Sequence, residues 1–312
     1  MAGYDALHSA AAWIDLSNRG KIRVTGEDRA RLLHAMSTND VQHLSPGQGL
    51  YAFFLTALGR ILADAYIYNI GESLFLDTEP ETGSKLVEHL DRYIIADDAT
   101  LDNETGTWAC IGIEGSTAHD VASQVGISVP SKQNAVTQWR DGFVAHVAST
   151  GREGIRVFVP AGSKQSLVDR LTELSVPQAT AAEARLVRME NAMPRYGDDI
   201  SERYLVQETQ QVQAVHSNKG CYLGQEIVER VRSRGQVHRL LVPVRIHNTT
   251  APQPGSKLVT AAGENAGEIT SAEFSPGLGE VVAFAYVRTE PAHTKPQLIV
   301  ADSNPPVTAT LV

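Results

Sequence analysis

The most chemically varied stretch of this chain is a segment of eight residues that brings together a cation, a thiol, an amide and a carboxylate. The segment consists of Lys219, Gly220, Cys221, Tyr222, Leu223, Gly224, Gln225 and Glu226, and Arg230 follows at the i,i+4 spacing of a helical ion pair with Glu226. Its two glycines indicate unusual backbone torsions or a close approach to another group. A thiol becomes a nucleophile when a neighbouring cation and a helix start lower its pKa, so Cys221 is a candidate catalytic residue. The alternative is that Cys221 is a small buried apolar group, as most free cysteines are.

A second candidate is Asp64, which lies in a predicted strand over residues 61–68. Period-two alternation places Asp64 on the strand face that also carries Leu62, Tyr66 and Tyr68. A carboxylate among apolar and aromatic neighbours hydrogen-bonds a polar ligand, or acts as a base when burial raises its pKa. The alternative is a solvated strand face, on which an aspartate has no special role.

A third candidate is Glu190, which lies at the end of a predicted helix in line with the apolar Leu186 and Val187. A buried carboxylate is costly unless a partner neutralises it or donates hydrogen bonds to it. Arg188 and Arg195 are candidate internal partners, which is the structural interpretation. The functional interpretation is that Glu190 accepts two hydrogen bonds from a flat, NH-rich ring edge.

The elements that must position these residues alternate between strands and helices, and several strands are predicted to pair as hairpins. This pattern predicts an α+β fold with antiparallel sheets. From residue 236 onward, short strands separated by Pro- and Gly-rich turns predict a small β-barrel. The length of 312 residues is typical of about two domains. We therefore predict an α+β region over 1–235, divided into one part formed by 1–45 with 150–235 and a second part over 46–149, and a barrel domain over 236–312.

The composition excludes several functional classes. The chain is 42% hydrophobic with a net charge of −9 and no strongly basic block, which argues against a protein that grips nucleic acid through its phosphates. It contains no apolar run long enough to cross a membrane and no secretory signal pattern, so we expect a cytoplasmic protein without membrane partners. Two cysteines cannot form a disulfide framework or a four-thiolate cluster, and the ten histidines lack a metal-binding spacing, so we expect no metal site.

The segment from Lys219 to Arg230 resembles the signature of the folate-binding YgfZ proteins. These are relatives of the glycine-cleavage T-protein (GcvT) and assist iron–sulfur cluster assembly. Further matches occur in the family's order over 24–28, 37–41, 46–48, 59–64 and 188–197. The resemblance covers about residues 5 to 312.

This resemblance implies a ring-like arrangement of three parts, in which two α+β parts surround a folate pocket and the barrel completes the ring. It places Asp64 near the reactive end of tetrahydrofolate and Glu190 on the pterin ring, and it assigns Arg195 and Tyr196 in the same matching segment to cofactor binding. Cys221 favours the cluster-assembly branch, since the T-protein branch usually lacks this cysteine.

The function that we expect from the resemblance is that of a tetrahydrofolate-binding accessory factor. Its partners would be folate and iron–sulfur client or assembly proteins, with an indirect effect on tRNA modification. The alternative is an aminomethyltransferase that forms methylenetetrahydrofolate.

Overall fold

The computed structural model describes residues 2–235, 237–301 and 303–312. Gln236, the predicted first residue of the barrel domain, lies outside the described residues, as do Met1 and Asp302. Within the described part, the strands form two open sheets and one closed barrel, and helices pack on the sheets and between them. The predicted α+β class with a C-terminal β-barrel is therefore confirmed.

The helices are short, and in the described part of the chain none combines the length and the apolar character needed to cross a membrane. They are α1 (Ala2–Ser9), α2 (Arg29–Met36), α3 (Gly83–Asp91), α4 (Ala118–Gln124), α5 (Lys164–Glu173), α6 (Ala181–Glu190), α7 (Gln225–Arg234) and α8 (Thr289–Thr294).

The strands of the two open sheets all precede the barrel in the chain. They are β1 (Ala12–Asp15), β2 (Gly20–Thr25), β3 (Gly49–Leu55), β4 (Ile61–Asn69), β5 (Leu74–Thr78), β6 (Thr100–Asn103), β7 (Trp108–Glu114), β8 (Val136–Trp139), β9 (Gly142–Ala145), β10 (Gly154–Pro160) and β11 (Gln178–Ala179). The barrel strands are β12 (Arg239–Ile246), β13 (Lys257–Val259), β14 (Asn265–Ser275), β15 (Glu280–Arg288), β16 (Leu298–Val300) and β17 (Val307–Leu311).

Sheet membership divides the chain differently from the predicted split at residues 45 and 149. The first sheet has the order β3-β4-β5-β2-β6 and the second the order β11-β1-β7-β10-β9-β8. Strand β2 therefore belongs with the strands that follow it, and β7 to β9 belong with β10. The reason is long-range pairing: β2 lies between β5 and β6, and β1 lies between β7 and β11, which no local pattern in the sequence reveals.

Strand β4, which carries Asp64, and strand β15 of the barrel are buried on both faces. In β4, Ala63, Ala65 and Ile67 pack into the core of the first sheet. The alternate residues of β4, which include Asp64, point toward the second sheet, as the period-two pattern predicts. In β15, one face fills the barrel and the other, with Phe284 at its centre, packs against the two sheets.

Each of the three parts contacts the other two, which confirms the expected ring-like arrangement. The two open sheets meet through a cluster of aromatic rings in which Phe75 of β5 lies 5.1 Å from Phe143 of β9. A second apolar cluster joins both sheets to the barrel, since it contains Phe53 of β3, Ile14 of β1 and Tyr286 of β15. Burial of these large side chains fixes the relative positions of the parts, at about 1.5 to 3 kcal/mol for each.

Candidate functional site

A cavity of about 560 Å³ lies where the two open sheets meet helix α6. Its walls come from the end of β1, from β3 and β4, from one face of α6 and from the segment 193–213. The carboxylates among the described lining residues are Asp15, Asp64, Glu79 and Asp198, and the arginines are Arg19, Arg156, Arg185, Arg188 and Arg195. The cavity thus has a slightly positive wall in a protein of net charge −9.

Asp64 is the carboxylate at the centre of this wall. Only 6% of the residue is exposed, and the Tyr51 hydroxyl donates a hydrogen bond to Asp64 Oδ2 at 2.6 Å. Burial and the nearby negative charge of Glu79 raise the pKa of Asp64 to about 7. A carboxyl group with such a pKa exchanges its proton near neutral pH, which suits a general acid or base.

Glu79 has the opposite behaviour, although it is also buried. Arg195 Nε donates to Glu79 Oε2 at 2.8 Å, and Arg19 donates to the other oxygen. Burial alone would raise the pKa of Glu79, but these two arginines outweigh burial and hold it below its usual value. Of the two carboxyl groups, Asp64 therefore binds a proton more readily, because its pKa is raised and that of Glu79 is lowered.

Asp77 fixes the arginine that holds Glu79. It is fully buried and accepts hydrogen bonds from Arg19 Nε and Arg156 Nη1, both at 2.5 Å. Burial opposes ionisation of Asp77, but the two guanidinium groups lower its pKa. The Arg156 guanidinium also lies 4.8 Å from the centre of the Tyr66 ring, so this aromatic wall of the cavity is held in place as well.

Three residues of segment 188–197 were predicted to bind the cofactor, namely Glu190, Arg195 and Tyr196, and only Arg195 is among the described residues that line the cavity. Tyr196 is buried and donates a hydrogen bond from its hydroxyl to the carbonyl oxygen of Leu62 at 2.6 Å. Burial raises the pKa of Tyr196 to about 12. The position of Tyr196 therefore does not support its assignment to cofactor binding, because its hydroxyl group is hydrogen-bonded to the backbone of β4.

Glu190 is likewise absent from the described residues that line the cavity. Its carboxylate accepts hydrogen bonds from the Tyr4 hydroxyl at 2.8 Å, the Ser275 hydroxyl at 2.5 Å and His8 Nε2 at 2.8 Å. These contacts tie α6 to α1 and to the end of β14. Because the Glu190 carboxylate makes these three contacts and is not among the described residues that line the cavity, its position does not support the predicted contact with a bound ring.

The reason lies in the helical repeat of α6. Ala184 and Arg188, four residues apart, face the cavity. Glu190 follows Arg188 by two residues, which corresponds to a rotation of about 200° around the helix axis. The sequence placed Glu190 correctly beside Leu186 and Val187, but these two residues pack into the core on the side away from the cavity.

The segment around Cys221 forms a separate feature, because none of its described residues lines the cavity. Lys219 is buried, and its ammonium group donates to the carbonyl oxygens of His34 and Ser37, the second at 2.7 Å. Burial lowers the pKa of Lys219 to about 8. Cys221 itself is exposed, so the interpretation of this thiol as a buried apolar group is wrong.

The remaining motif residues shape the loop. Gly220 and Gly224 have φ angles of +91° and +80°, and a Cβ atom at Gly224 would lie 2.7 Å from the carbonyl oxygen of Thr56. The ring of Tyr222 is buried in the core that joins the three parts, and its backbone N–H donates to the Gln225 side chain at 3.3 Å. The predicted ion pair between Glu226 and Arg230 is present on the surface of α7.

Sequence reasoning missed Tyr51, Glu79 and Arg19. The position of Tyr51 could have been predicted from the hairpin formed by β3 and β4. The register of this hairpin pairs Phe53 with Asp64, and Tyr51, two residues before Phe53, therefore lies on the same face of the sheet as Asp64. No comparable signal exists for Arg19 or Glu79, since their meeting depends on the pairing of β2 with β5.

Comparison with known proteins agrees with this architecture. Residues 2–219 match the GCVT N-terminal domain, and residues 239–312 match the glycine cleavage T-protein C-terminal barrel domain. The chain is 28% identical to an aminomethyltransferase of Rubrobacter xylanophilus over 299 residues, which cover 93% of this chain and 79% of that protein. It is also 28% identical to an aminomethyltransferase of Deinococcus deserti over 92% of this chain and 80% of that protein.

A solved structure shares the fold. The glycine cleavage system aminomethyltransferase T from Bartonella henselae superposes with a TM-score of 0.91 at 19% sequence identity, and the match covers 99% of this chain and 87% of that one. With both domains matched in order along nearly the whole chain, this protein belongs to the glycine cleavage T-protein family.

Proposed function

We propose that this protein binds a reduced folate, tetrahydrofolate, in the cavity and transfers a one-carbon unit to it, as an aminomethyltransferase does. The observation that carries the proposal is Asp64, a buried carboxyl group with a pKa raised to about 7 in the wall of the cavity. The names of the relatives support transferase activity more directly than they support an accessory role.

The cavity suits a ligand of this kind in size and in chemistry. Its volume of about 560 Å³ lies within the roughly 300 to 1,000 Å³ of small-molecule sites. Tyr51 and Tyr66 offer aromatic surfaces for a flat ring, and the amides of Gln211 and Gln213 offer donors and acceptors for its edge. Arg185 pairs with Asp198, and its side chain is 33% exposed, so its remaining guanidinium donors are available to the carboxylates of a glutamate tail.

In this proposal, two amine nitrogens of tetrahydrofolate would form bonds to the aminomethyl carbon as its bonds to the carrier sulfur and to the amino nitrogen break. The two protons that leave these amines would go to the carrier thiol and to the released ammonia. Asp64 acts as the base or the electrostatic orienter beside these amines. Tyr51 donates a hydrogen bond to the ionised form of Asp64, and Glu79 remains ionised beside Arg19 and Arg195. The buried position of Asp64 keeps water from competing for the proton.

The test is formation of methylenetetrahydrofolate by the purified protein, given tetrahydrofolate and an aminomethylated lipoyl carrier. We expect turnover by the wild type and a loss of at least about a hundredfold in kcat for Asp64→Asn. The matched control is Asp102→Asn, which removes an exposed carboxylate of β6 and should leave turnover unchanged. Absence of turnover in the wild type, or full activity in Asp64→Asn, would contradict the proposal.

A second function is favoured by the exposed thiol of Cys221. The ammonium group of Lys219 anchors this loop by a hydrogen bond to the carbonyl oxygen of Ser37, and Gly220 and Gly224 provide its positive φ angles. The thiol itself faces solvent outside the cavity. Such a placement suits contact with another protein better than contact with a ligand in the cavity. This supports the accessory function in assembly or repair of iron–sulfur clusters that the resemblance to YgfZ proteins implies.

Cells that lack this protein provide the test of the second function. If it holds, Cys221→Ala fails to restore the activity of iron–sulfur enzymes, although the purified variant binds tetrahydrofolate as tightly as the wild type. A variant that restores those enzymes fully would remove the reason for assigning a role to the thiol. Ser233→Ala, which alters an exposed residue of α7 outside the motif, serves as the control for nonspecific damage.

A further inference from the structure

Three side chains that could ligate a metal converge at one end of the second sheet, away from the folate cavity. Nε2 of His119 lies 3.8 Å from Glu153 Oε2, and Nε2 of His146 lies 3.9 Å from the same oxygen. One ligand atom from each of the three residues lies within 4.8 Å of the others. None of the three lines the cavity that holds Asp64.

The fold holds the backbone of these residues in place. The N–H of His146 donates to the carbonyl oxygen of Ala135 at 2.9 Å, and its own carbonyl accepts from Asn134 at 3.0 Å. The carbonyl of Glu153, just before β10, accepts from Gly115 at 2.8 Å, while His119 belongs to α4. Three separate segments are therefore fixed at one point, and little backbone rearrangement is needed to bring the side chains together.

Only one ring nitrogen of His146, Nε2, is directed at the other two side chains. Its side chain is only 13% exposed, and its Nδ1 is buried with no hydrogen-bond partner among the described residues. Nε2 is therefore the ring nitrogen that is directed at Glu153. His119 and Glu153 are more exposed, with side-chain exposures of 45% and 68%, so an ion and its bound water can reach the site.

Two of the three distances between ligand atoms approach those of a tetrahedral zinc site, and the ligand atoms of the two histidines lie within 4.8 Å of each other. With zinc–nitrogen and zinc–oxygen distances of about 2.0 to 2.2 Å, the ligand atoms of a tetrahedron lie about 3.3 to 3.5 Å apart. The observed 3.8 and 3.9 Å therefore require a contraction of about half an ångström. The centres of the two imidazole rings lie 5.2 Å apart, with an angle of 72° between the ring planes.

We infer that His119, His146 and Glu153 form a surface binding site for a divalent zinc ion, with the fourth position taken by water. Two imidazole nitrogens with one carboxylate favour zinc over calcium or magnesium, which prefer oxygen ligands. The site does not depend on the function proposed for the cavity. It differs from the expectation drawn from the sequence, because the three ligands come from segments whose spacing matches no metal-binding motif.

The test is a calorimetric titration of untagged, chelator-treated protein with Zn²⁺ alone. We expect saturable binding of one ion per chain in the wild type, and affinity lowered at least about tenfold in His119→Ala and in Glu153→Gln. Both residues are exposed, so these variants should fold normally. The matched control is His247→Ala, which removes a histidine that contacts a single carboxylate, Glu280, and should leave the affinity unchanged.

Titration with Co²⁺ supplies an independent readout. Binding at this site should give visible absorption bands of a tetrahedral nitrogen–oxygen environment, and these bands should be absent in His146→Ala. The inference is overturned if the wild type shows no saturable zinc binding. It is equally overturned if the His119 and Glu153 variants bind as tightly as His247→Ala.

Discussion

Replacing Asp64 by asparagine should stabilise the protein at neutral and alkaline pH while removing its activity. In the folded protein the pKa of Asp64 is raised from 3.8 to about 7, chiefly by burial. The folded state therefore holds the proton more tightly than the unfolded state does. Above the folded pKa, the wild type must keep an ionised carboxylate in a buried position, whereas asparagine is neutral at every pH.

The size of the effect follows from the difference in pKa. A difference of about 3 between the folded and unfolded values corresponds to about 4 kcal/mol, which is the upper limit for the cost of ionised Asp64. Asparagine keeps the size of the side chain and an oxygen that accepts from Tyr51, so we expect a gain of about 2 to 4 kcal/mol at pH 8. The gain should shrink as the pH falls through about 7 and vanish near pH 4, where the wild-type carboxyl is protonated in both states.

The assay is thermal unfolding, followed by circular dichroism, of the wild type and Asp64→Asn at a series of pH values. For a chain of 312 residues, a gain of this size corresponds to an increase in Tm of roughly 3 to 6 °C at pH 8. Asp77→Asn is the matched control of opposite sign, because Arg19 and Arg156 hold the pKa of Asp77 low and its ionised form stabilises the fold. It should lose about 3 to 5 kcal/mol at pH 8. A Tm for Asp64→Asn that is unchanged or lowered at alkaline pH would refute the reasoning.

Three further predictions follow from single contacts. Tyr51→Phe removes the hydrogen bond that lowers the pKa of Asp64. The pH–rate profile of any folate-dependent turnover should therefore shift to higher pH, and an unshifted profile would rule out Asp64 as the titrating group. Lys219→Met leaves two buried carbonyl oxygens without their donor and should lower the free energy of unfolding by about 1 to 3 kcal/mol. Cys221→Ser, at an exposed position, should change it by less than about 0.5 kcal/mol. Equal effects of the two substitutions in urea unfolding would contradict the role of Lys219 as the anchor of this loop. Gly26→Ala places a Cβ atom 2.1 Å from a carbonyl oxygen at a φ of +93°, so it should cost at least about 2 kcal/mol by the same measurement, and a near-neutral result would show that this turn can relax.

Local patterns were sufficient to predict β4, α6 and the C-terminal barrel, but not α8, a short helix within the barrel region. In β4, alternation correctly separates Ala63 and Ala65, which enter the core, from Asp64, which faces the cavity. The apolar run of β15 and the turns around it correctly indicate a barrel strand. One face of β15 packs inside the barrel, and the other face packs into the core that joins the barrel to the two sheets. These features depend on residues that are close together in the chain, and period-two repeats report them directly.

The parts that the sequence could not supply depend on contacts between distant segments. A helical pattern shows that Glu190 lies beside apolar neighbours, but it does not tell which of two buried sides of α6 faces a cavity. The partners of Glu190 come from α1 and β14, far away in the chain. The same holds for the ion pair between Arg19 and Glu79, which keeps Glu79 ionised near Asp64 and which depends on the pairing of β2 with β5.

The central claim is that the cavity between the two sheets binds a reduced folate. Calorimetric titration of the purified protein with tetrahydrofolate tests it most directly, with Ala184→Trp as a variant that fills the cavity and Ala262→Trp, on an exposed barrel turn, as its control. We predict saturable binding of one folate per chain by the wild type and by Ala262→Trp, and no measurable binding by Ala184→Trp. Absence of heat with the wild type, or unchanged binding by Ala184→Trp, would contradict the claim.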